Sequence, residues 1–371
     1  MERALLGGAT AARFLSRYWQ QRALLIRRAI PEFRDILSRW ELIALATRDD
    51  VESRLVVRER GRWTLAHGPF RRRDFRALPE RNWTLLVQGV NLHVAAADAL
   101  LRRFSFLPYA RLDDLMVSYA APGGGVGPHF DSYDVFLLQG EGRRRWRLSP
   151  QRGLELKPDL PLKILARFHP EHEHVLDPGD MLYLPPGIAH DGVAIDACST
   201  YSIGFRAPSA QELGTAFLDW LSDRVALEGR YRDPGPAQVR APAYIGRGLS
   251  AYARSALSQL AWDDRAVARF LGTYLTEPKP TVTFPTPHRA LGRNAFVARA
   301  ARRGIRLDSC TQLLYDARNT FINGDALDRP TKAWATIRRL ANTRELPAGK
   351  IDAGAADLLY RWYCDGFLHL E

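Results

Sequence analysis

Two histidines and one aspartate have the residue types and the spacing that hold a catalytic iron. His129 and Asp131 directly follow the glycine-rich segment 122–128, and His190 lies much later in the chain. Residues two apart in a β-strand point to the same face, so we expect His129 and Asp131 to bind one ion with His190 from another strand. Two imidazoles and one carboxylate form the facial triad of non-heme Fe(II) oxygenases, which leaves positions for a cosubstrate and dioxygen. The triad therefore indicates oxidative chemistry.

The residues around His190 favour the metal-binding interpretation. An isolated His-x-Asp pair recurs by chance, and a histidine in an apolar strand is more often a core residue. Here a turn at 177–180, an apolar strand at 181–184 and a second turn at 185–187 lead directly to His190. The other histidine-rich run, which contains His169, His172 and His174, is interpreted as a solvated loop because it lacks a third ligand on a fixed strand.

An arginine on the following strand indicates an acidic cosubstrate. After a predicted hairpin at 140–142, alternation over 143–148 places Arg144 on one face with Trp146 and Leu148. A buried guanidinium needs an anion, and a bidentate organic acid such as 2-oxoglutarate matches its two-pronged geometry. The alternative is an internal salt bridge. Ser118, on the strand before the glycine-rich segment, is a weaker candidate for a second hydrogen bond to the cosubstrate.

Composition is that of a soluble protein of two or three domains. The 371 residues are 46% hydrophobic and 25% charged. No apolar run is long enough to cross a membrane and no secretory signal is evident, so we expect a cytoplasmic protein without a membrane partner. The scattered Cys198, Cys310 and Cys364 argue against a disulfide framework or structural zinc.

The net charge of +12 indicates either an acidic partner or an arginine-favouring genome. The basic residues comprise 48 arginines and five lysines, a skew that fits the genomic explanation. The clusters at 71–73 and 302–303 are short and lack interleaved aromatic residues. Direct nucleic-acid binding is therefore not expected as the main function.

Periodicity predicts a change from strands to helices after residue 206. We expect a helix at 14–19, a strand at 23–26, then a β-rich core to Arg206, with a helix start at Pro208 and Ser209. Helical patterns follow at 211–227 and 250–275, then a linker at 277–280, a hairpin at 312–327 and helices at 331–341 and 355–365. The helices of 250–275 could form a dimer or pack within the same chain.

Several segments resemble the bacterial ribosomal oxygenases. These JmjC-type cupin enzymes hydroxylate an arginine of the large-subunit ribosomal protein L-sixteen. The resemblance rests on residues 113–118, 122–136 and 142–147, with further similar segments at 53–56, 67–70, 82–88 and 201–208. It is strong from about residue 13 to 215 and traceable at 317–324 and 363–367.

The resemblance implies a mainly β fold with helices. Residues 1–207 would form a double-stranded β-helix, the JmjC/cupin catalytic domain. Residues 208–277 would form a helical dimerisation region and 278–371 a winged-helix-like domain. The resemblance also implies Fe(II) as the metal, 2-oxoglutarate and dioxygen as cosubstrates, protein L-sixteen as substrate and a homodimer.

The resemblance also assigns residues. His129, Asp131 and His190 would bind iron, Arg144 would bind the distal carboxylate of 2-oxoglutarate, and Thr200 stands where the family carries asparagine. The substrate arginine would contact four positions, Asp114, Met116, Tyr133 and Ser202. An acidic partner, an aromatic face and a soft apolar wall suit a guanidinium and its stem.

Two other functions remain open from the sequence. One is another JmjC-type oxygenase, a lysine demethylase or a small-molecule hydroxylase, which would need a different wall where Asp114, Met116 and Tyr133 stand. The other is a non-catalytic cupin that binds a ligand and uses its winged helix on nucleic acid. An intact triad together with Arg144 argues against the second.

Overall fold

The computed structural model describes residues 5–233, 235, 241–328 and 332–371. The chain forms two compact units. The first contains Met1–Ala207, Pro278–Thr311 and Thr343–Glu371, and the second contains Pro208–Glu277 and Gln312–Asn342. The division of the sequence at 207 and 277 into three consecutive domains stays a prediction.

Strands dominate the first unit. In chain order the strands of the described residues are β1 (Leu24–Ile26), β2 (Ser53–Glu59), β3 (Arg62–His67), β4 (Trp83–Val87), β5 (Leu112–Ala120), β6 (Val135–Gln139), β7 (Arg144–Ser149), β8 (His172–Leu176), β9 (Met181–Leu184), β10 (Ala189–Ala194), β11 (Cys198–Phe205), β12 (Ile305–Leu307), β13 (Leu313–Tyr315), β14 (Asn319–Ile322), β15 (Asp325–Asp328), β16 (Glu345–Leu346) and β17 (Leu368–Leu370).

The described helices before residue 207 are shorter than those after it. They are α1 (Ala11–Arg17), α2 (Arg39–Ala46), α3 (Val90–His93), α4 (Ala95–Arg102), α5 (Ala210–Ser222), α6 (Arg247–Leu257), α7 (Asp264–Thr276), α8 (Arg293–Arg303), α9 (Trp334–Thr343) and α10 (Ala353–Cys364). The predicted helix start at Ser209 is confirmed by a capping box with Glu212. That helix ends at Ser222, before the predicted residue 227.

Two antiparallel sheets build the β-rich core. The large sheet has the order β1-β9-β6-β11-β5-β4-β2-β3, and the small sheet has the order β10-β7-β8. The chain passes from the large sheet to the small one between β6 and β7, so the hairpin predicted at 140–142 is wrong. Gly142 has a left-handed φ of 66°, and a Cβ there would overlap the Ala197 carbonyl oxygen. This close approach lets the chain change sheets instead of reversing within one.

Strands β5 and β11 separate an apolar core from a polar interior. Side chains of one face belong to the main hydrophobic core, among them Leu115, Val117, Tyr201 and Ile203. The other face carries Asp114, Met116, Ser118, Thr200 and Ser202. Burial of polar side chains is costly unless they have partners, so this second face is the candidate for function.

Three other sequence predictions need correction. The segment 312–327, predicted as a hairpin, forms the three-stranded sheet β13-β14-β15. His172 and His174 were placed in a loop but lie on β8, which pairs with β7. The helix predicted at 331–341 covers Trp334–Thr343, and Thr331 lies outside the described residues.

The second unit has its own aromatic core. Phe270 of α7 packs edge-on against Phe217 and Trp220 of α5. Gly272, one turn from the end of α7, lies against the ring of Phe321 on β14, where a Cβ would overlap the ring. No helix in the described part of the chain has both the length and the apolar character to span a bilayer.

A buried carboxylate in the first unit gives a stability prediction. Asp134 is fully buried and accepts hydrogen bonds from the Tyr183 hydroxyl (2.6 Å) and the Gln20 amide (3.1 Å), with Arg111 at 3.4 Å. Tyr183→Phe removes the hydroxyl that donates to Asp134 and accepts the Gln20 backbone N–H at 2.8 Å. We expect the free energy of unfolding to fall by about 1–3 kcal/mol in chemical denaturation. Tyr18→Phe, at a partly exposed site, is the matched control, and equal losses would contradict the assignment.

Candidate metal and cosubstrate site

His129 and His190 are joined through their backbones. Each donates its amide N–H to the other's carbonyl oxygen, at 2.9 Å from His129 and 2.7 Å from His190. The segment around His129 and Asp131 was predicted as a strand, but only this isolated bridge forms there. The Gly187 amide also donates to the Asp131 carbonyl oxygen at 2.8 Å. The backbone therefore positions the three residues together without a regular strand.

The three side chains converge as metal ligands do. One ligand atom each from His129, Asp131 and His190 lies within 4.8 Å of the others, and His190 Nε2 is 3.6 Å from Asp131 Oδ2. The Nδ1 atoms of the two histidines lie 2.9 Å from the carbonyl oxygens of Gly127 and Ile188. Such contacts require Nδ1–H as donor and leave Nε2 free for a metal. The donor set fits Fe(II).

The glycine-rich segment passes too close to other backbone for side chains. A Cβ on Gly125 would lie 2.5 Å from the Gly192 carbonyl oxygen, and one on Gly124 would overlap the Trp83 carbonyl oxygen. The segment thus runs between β4 of the large sheet and β10 of the small sheet. Both close approaches are possible only for glycine. They allow the segment to bring His129 next to His190.

Burial controls the charge states of the ligands. It lowers the pKa of His190 to about 3, with a smaller effect from His129. Burial raises the pKa of Asp131, against the opposing effects of His129 and a hydrogen bond with Tyr133. A neutral imidazole is the metal-binding form, and a bound cation would favour the Asp131 carboxylate. A metal ion would therefore compete with a proton at Asp131 but find His190 already neutral.

Arg144 is buried on β7 of the small sheet, next to β10, the strand that carries His190. It is 5% exposed and lies opposite Ala194, on the face of β7 and β10 that also carries His190. Its Nε and one terminal nitrogen have no hydrogen-bond partner among the described residues. The Thr200 hydroxyl, directly across from Ser118, is likewise buried without a partner there. These donors fit an acidic cosubstrate, and the internal salt bridge weighed from the sequence is not formed by the described residues.

Replacement of Arg144 by lysine tests this fit. Arg144→Lys keeps the charge but loses the planar fork, so the KM for 2-oxoglutarate is expected to rise about tenfold. Arg143→Lys is the control, since Arg143 is exposed and pairs with Asp196. Steady-state kinetics over a 2-oxoglutarate series make the measurement. An unchanged KM in the Arg144 variant would remove that residue from the cosubstrate site.

The residues expected at the substrate share one region of the large sheet. Met116 and Ser202 are directly paired across β5 and β11, and Asp114 lies two residues before Met116 on the same face. Asp114 is 4% exposed and accepts the Gly89 amide N–H at 2.9 Å. Tyr133 is 42% exposed. Its hydrogen bond with Asp131 opposes the rise that burial causes in the pKa of that carboxyl group. Their role in substrate binding stays a prediction.

The structure adds two charged residues that sequence reasoning missed. Burial raises the pKa of Asp131 and of Tyr133, and Arg54 on β2 opposes that rise in both. Lys279 Nζ lies 3.6 Å from Asp114 Oδ2. The sequence indicates for Lys279 only a position in a proline-rich linker. Neither residue has a local pattern that would reveal the contact, because both are distant in the chain from the groups they influence.

Comparisons with known proteins agree with this geometry. Residues 99–213 match the JmjC domain family model and residues 259–369 the ROXA-like winged helix model. The crystal structure of Escherichia coli ribosomal oxygenase YcfD superposes with a TM-score of 0.81 and 32% identity over 98% of both chains. This chain belongs to the JmjC-type ribosomal oxygenases. The fold expected from the resemblance, a cupin followed by a winged helix, is thereby confirmed.

Two curated ribosomal oxygenases are similar in sequence. The ribosomal protein uL16 3-hydroxylase of E. coli K12 is 44% identical over 235 residues, 62% of each chain. The probable ribosomal oxygenase of Haemophilus influenzae is 41% identical over 204 residues, 54% of this chain and 50% of the relative. The matched region thus spans less than two thirds of each curated relative. Another E. coli YcfD structure, with the same TM-score, identity and coverage, is a complex with cobalt and 2-oxoglutarate. Fe(II) and 2-oxoglutarate are the metal and cosubstrate of this family.

Proposed function

We propose that this chain is an Fe(II)- and 2-oxoglutarate-dependent protein hydroxylase that acts on the β-carbon of an arginine in large-subunit ribosomal protein L-sixteen (uL16). The observation that carries the proposal is the buried Asp114 carboxylate on the interior face of β5, two residues from Met116 and four from Ser118. A carboxylate held in that position favours a cationic side chain as substrate.

Different residues of this chain would bind the metal and the cosubstrate. His129, Asp131 and His190 would hold the iron, and Arg144 would hold the distal carboxylate of 2-oxoglutarate. Bound iron supplies the oxidative chemistry, in which dioxygen and 2-oxoglutarate are consumed as the substrate gains a hydroxyl group and succinate and carbon dioxide are released. The protein's contribution is to place the substrate carbon near the metal and to limit oxidation without substrate.

The substrate pocket has the chemistry of an arginine site. Asp114 would pair with the guanidinium, while Met116 and Ser202 would line its path as cross-strand neighbours. Tyr133 lies near Asp131 and is partly exposed, so its ring can present a face to the incoming side chain. Methylated lysine, the substrate of a demethylase, lacks the planar guanidinium that can donate two hydrogen bonds to one carboxylate.

Succinate release tests the proposal. The enzyme is supplied with Fe(II), 2-oxoglutarate and air, with or without a uL16 peptide that contains the arginine. The proposal expects the peptide to stimulate succinate formation, and expects no stimulation by the same peptide with alanine at that arginine. Succinate formed at the same rate in all samples would retain an oxygenase and reject this substrate. No succinate at all would favour a ligand-binding cupin.

A homodimer and a cytoplasmic location belong to the same proposal. A homodimer is supported by large apolar side chains exposed on helices of the second unit, including Leu249 (46%) and Leu257 (63%) of α6 and Leu271 (41%) of α7. Sedimentation equilibrium tests the dimer, and Leu257→Glu should weaken it. The short basic clusters do not favour direct nucleic-acid binding. An enzyme that acts on a ribosomal protein is expected in the cytoplasm.

A further inference from the structure

Asp114 has an internal cation as its partner. Lys279 Nζ lies 3.6 Å from Oδ2, the oxygen that also accepts the Gly89 amide N–H. Both residues belong to the first unit. The Lys279 side chain is 39% exposed whereas that of Asp114 is 5% exposed. The Asp114 carboxylate is therefore buried, whereas the Lys279 ammonium can move into solvent.

The local sequence holds Lys279 at this position without tight packing. Lys279 stands between Pro278 and Pro280, which restrict the backbone on both sides. The Nζ to Oδ2 distance is longer than a direct hydrogen bond. The contact is therefore an ion pair that a better-fitting cation can replace.

We propose that Lys279 is an internal competitor of the substrate, an ammonium that occupies the Asp114 carboxylate until a guanidinium displaces it. The inference rests on the proposed function, because it takes Asp114 as the partner of the substrate arginine. In the free enzyme Lys279 compensates the charge of the buried Asp114 carboxylate. Substrate binding is then an exchange of cations, with Lys279 released to solvent.

Exchange favours arginine over lysine. A substrate lysine would replace one ammonium by another and gain nothing at the carboxylate. A substrate arginine brings a planar fork that can donate two N–H bonds to one carboxylate, which an ammonium cannot do. Either substrate must displace the internal lysine, so this competitor weakens the binding of both by the same factor, and only arginine regains more at the carboxylate than the displaced ammonium provided.

Removal of the ammonium tests the exchange. Binding of a uL16 peptide with arginine, and of the same peptide with lysine at that position, is measured by fluorescence anisotropy for wild type and Lys279→Met, alongside peptide KM and kcat. Lys279→Met is expected to tighten arginine-peptide binding roughly threefold to tenfold, the range of a half-exposed ion pair. The lysine peptide should gain by the same factor, because both peptides displace the same ammonium, and the arginine-to-lysine affinity ratio should stay unchanged. Basal succinate release without peptide should not change.

Two controls separate exchange from general charge or folding effects. Lys350→Met removes the same charge from an exposed site and should leave both affinities unchanged. In an Asp114→Asn background, Lys279→Met should no longer tighten peptide binding, because there is no ion pair to exchange. A folding defect would instead lower basal succinate release and thermal stability.

The outcomes distinguish this inference from the proposed function. If wild type binds and hydroxylates the arginine peptide but Lys279→Met leaves the affinity for that peptide unchanged or weakens it, the exchange is overturned and the hydroxylase stands. If neither enzyme binds or hydroxylates the arginine peptide, the proposed function fails and the exchange fails with it.

Discussion

The His129→Ala variant is expected to lose peptide hydroxylation by at least about 10³-fold, with Fe(II) binding weakened in parallel. His129 supplies one of three ligand atoms that lie within 4.8 Å of one another, and its backbone forms the bridge with His190. The substitution keeps that bridge, since only the imidazole is removed. Metal content after desalting and succinate release are the two measurements.

A histidine elsewhere provides the control for this loss. His172 lies exposed on β8 of the same small sheet that carries His190. His172→Ala should retain both metal binding and turnover. Full activity in His129→Ala, with the variant folded, would contradict the assignment of the triad.

The Asp114→Asn variant is expected to lose arginine-peptide turnover by about 10²- to 10³-fold in kcat/KM. The carboxamide is nearly isosteric but cannot pair with a guanidinium as a charged partner. Substrate-independent consumption of 2-oxoglutarate should change little, because Asp114 is neither in the triad nor in the site assigned to the cosubstrate. The ratio of the two activities, measured from succinate with and without peptide, is the informative quantity.

The neighbouring carboxylate makes a close control for Asp114. Asp113 lies on the opposite face of β5, where Arg206 is 3.5 Å away. Asp113→Asn should keep peptide turnover near the wild-type value. Equal losses of peptide-dependent and peptide-independent activity in Asp114→Asn would show that Asp114 acts on the whole site and would remove its substrate role.

The sequence predicted features that depend on short-range patterns. Alternation along β7 correctly placed Arg144 with Trp146 and Leu148 on the buried face. The turn, strand and turn before His190 were confirmed because glycine, proline and apolar residues define them locally. The start of α5 at Ser209 was likewise visible, since a capping box needs only four consecutive residues.

Contacts between residues that are far apart in the chain could not be predicted from the sequence. Gly140 and Gly142 mark a turn, but only the packing of Gly142 against Ala197 decides that the chain changes sheets there. The pairing of His129 with His190 by a single bridge depends on where two distant segments meet. The Lys279 and Asp114 contact joins a linker to a strand, and no local periodicity reports such a pair.

Tandem mass spectrometry of a uL16 peptide after reaction tests the central claim most directly. The enzyme, Fe(II), 2-oxoglutarate and air should add one oxygen atom to the peptide, localised to a single arginine, and omission of either Fe(II) or 2-oxoglutarate should prevent it. Oxygen found on another residue type, or an unmodified arginine in a reaction that forms succinate, would contradict the assignment of this chain as a ribosomal protein arginine hydroxylase.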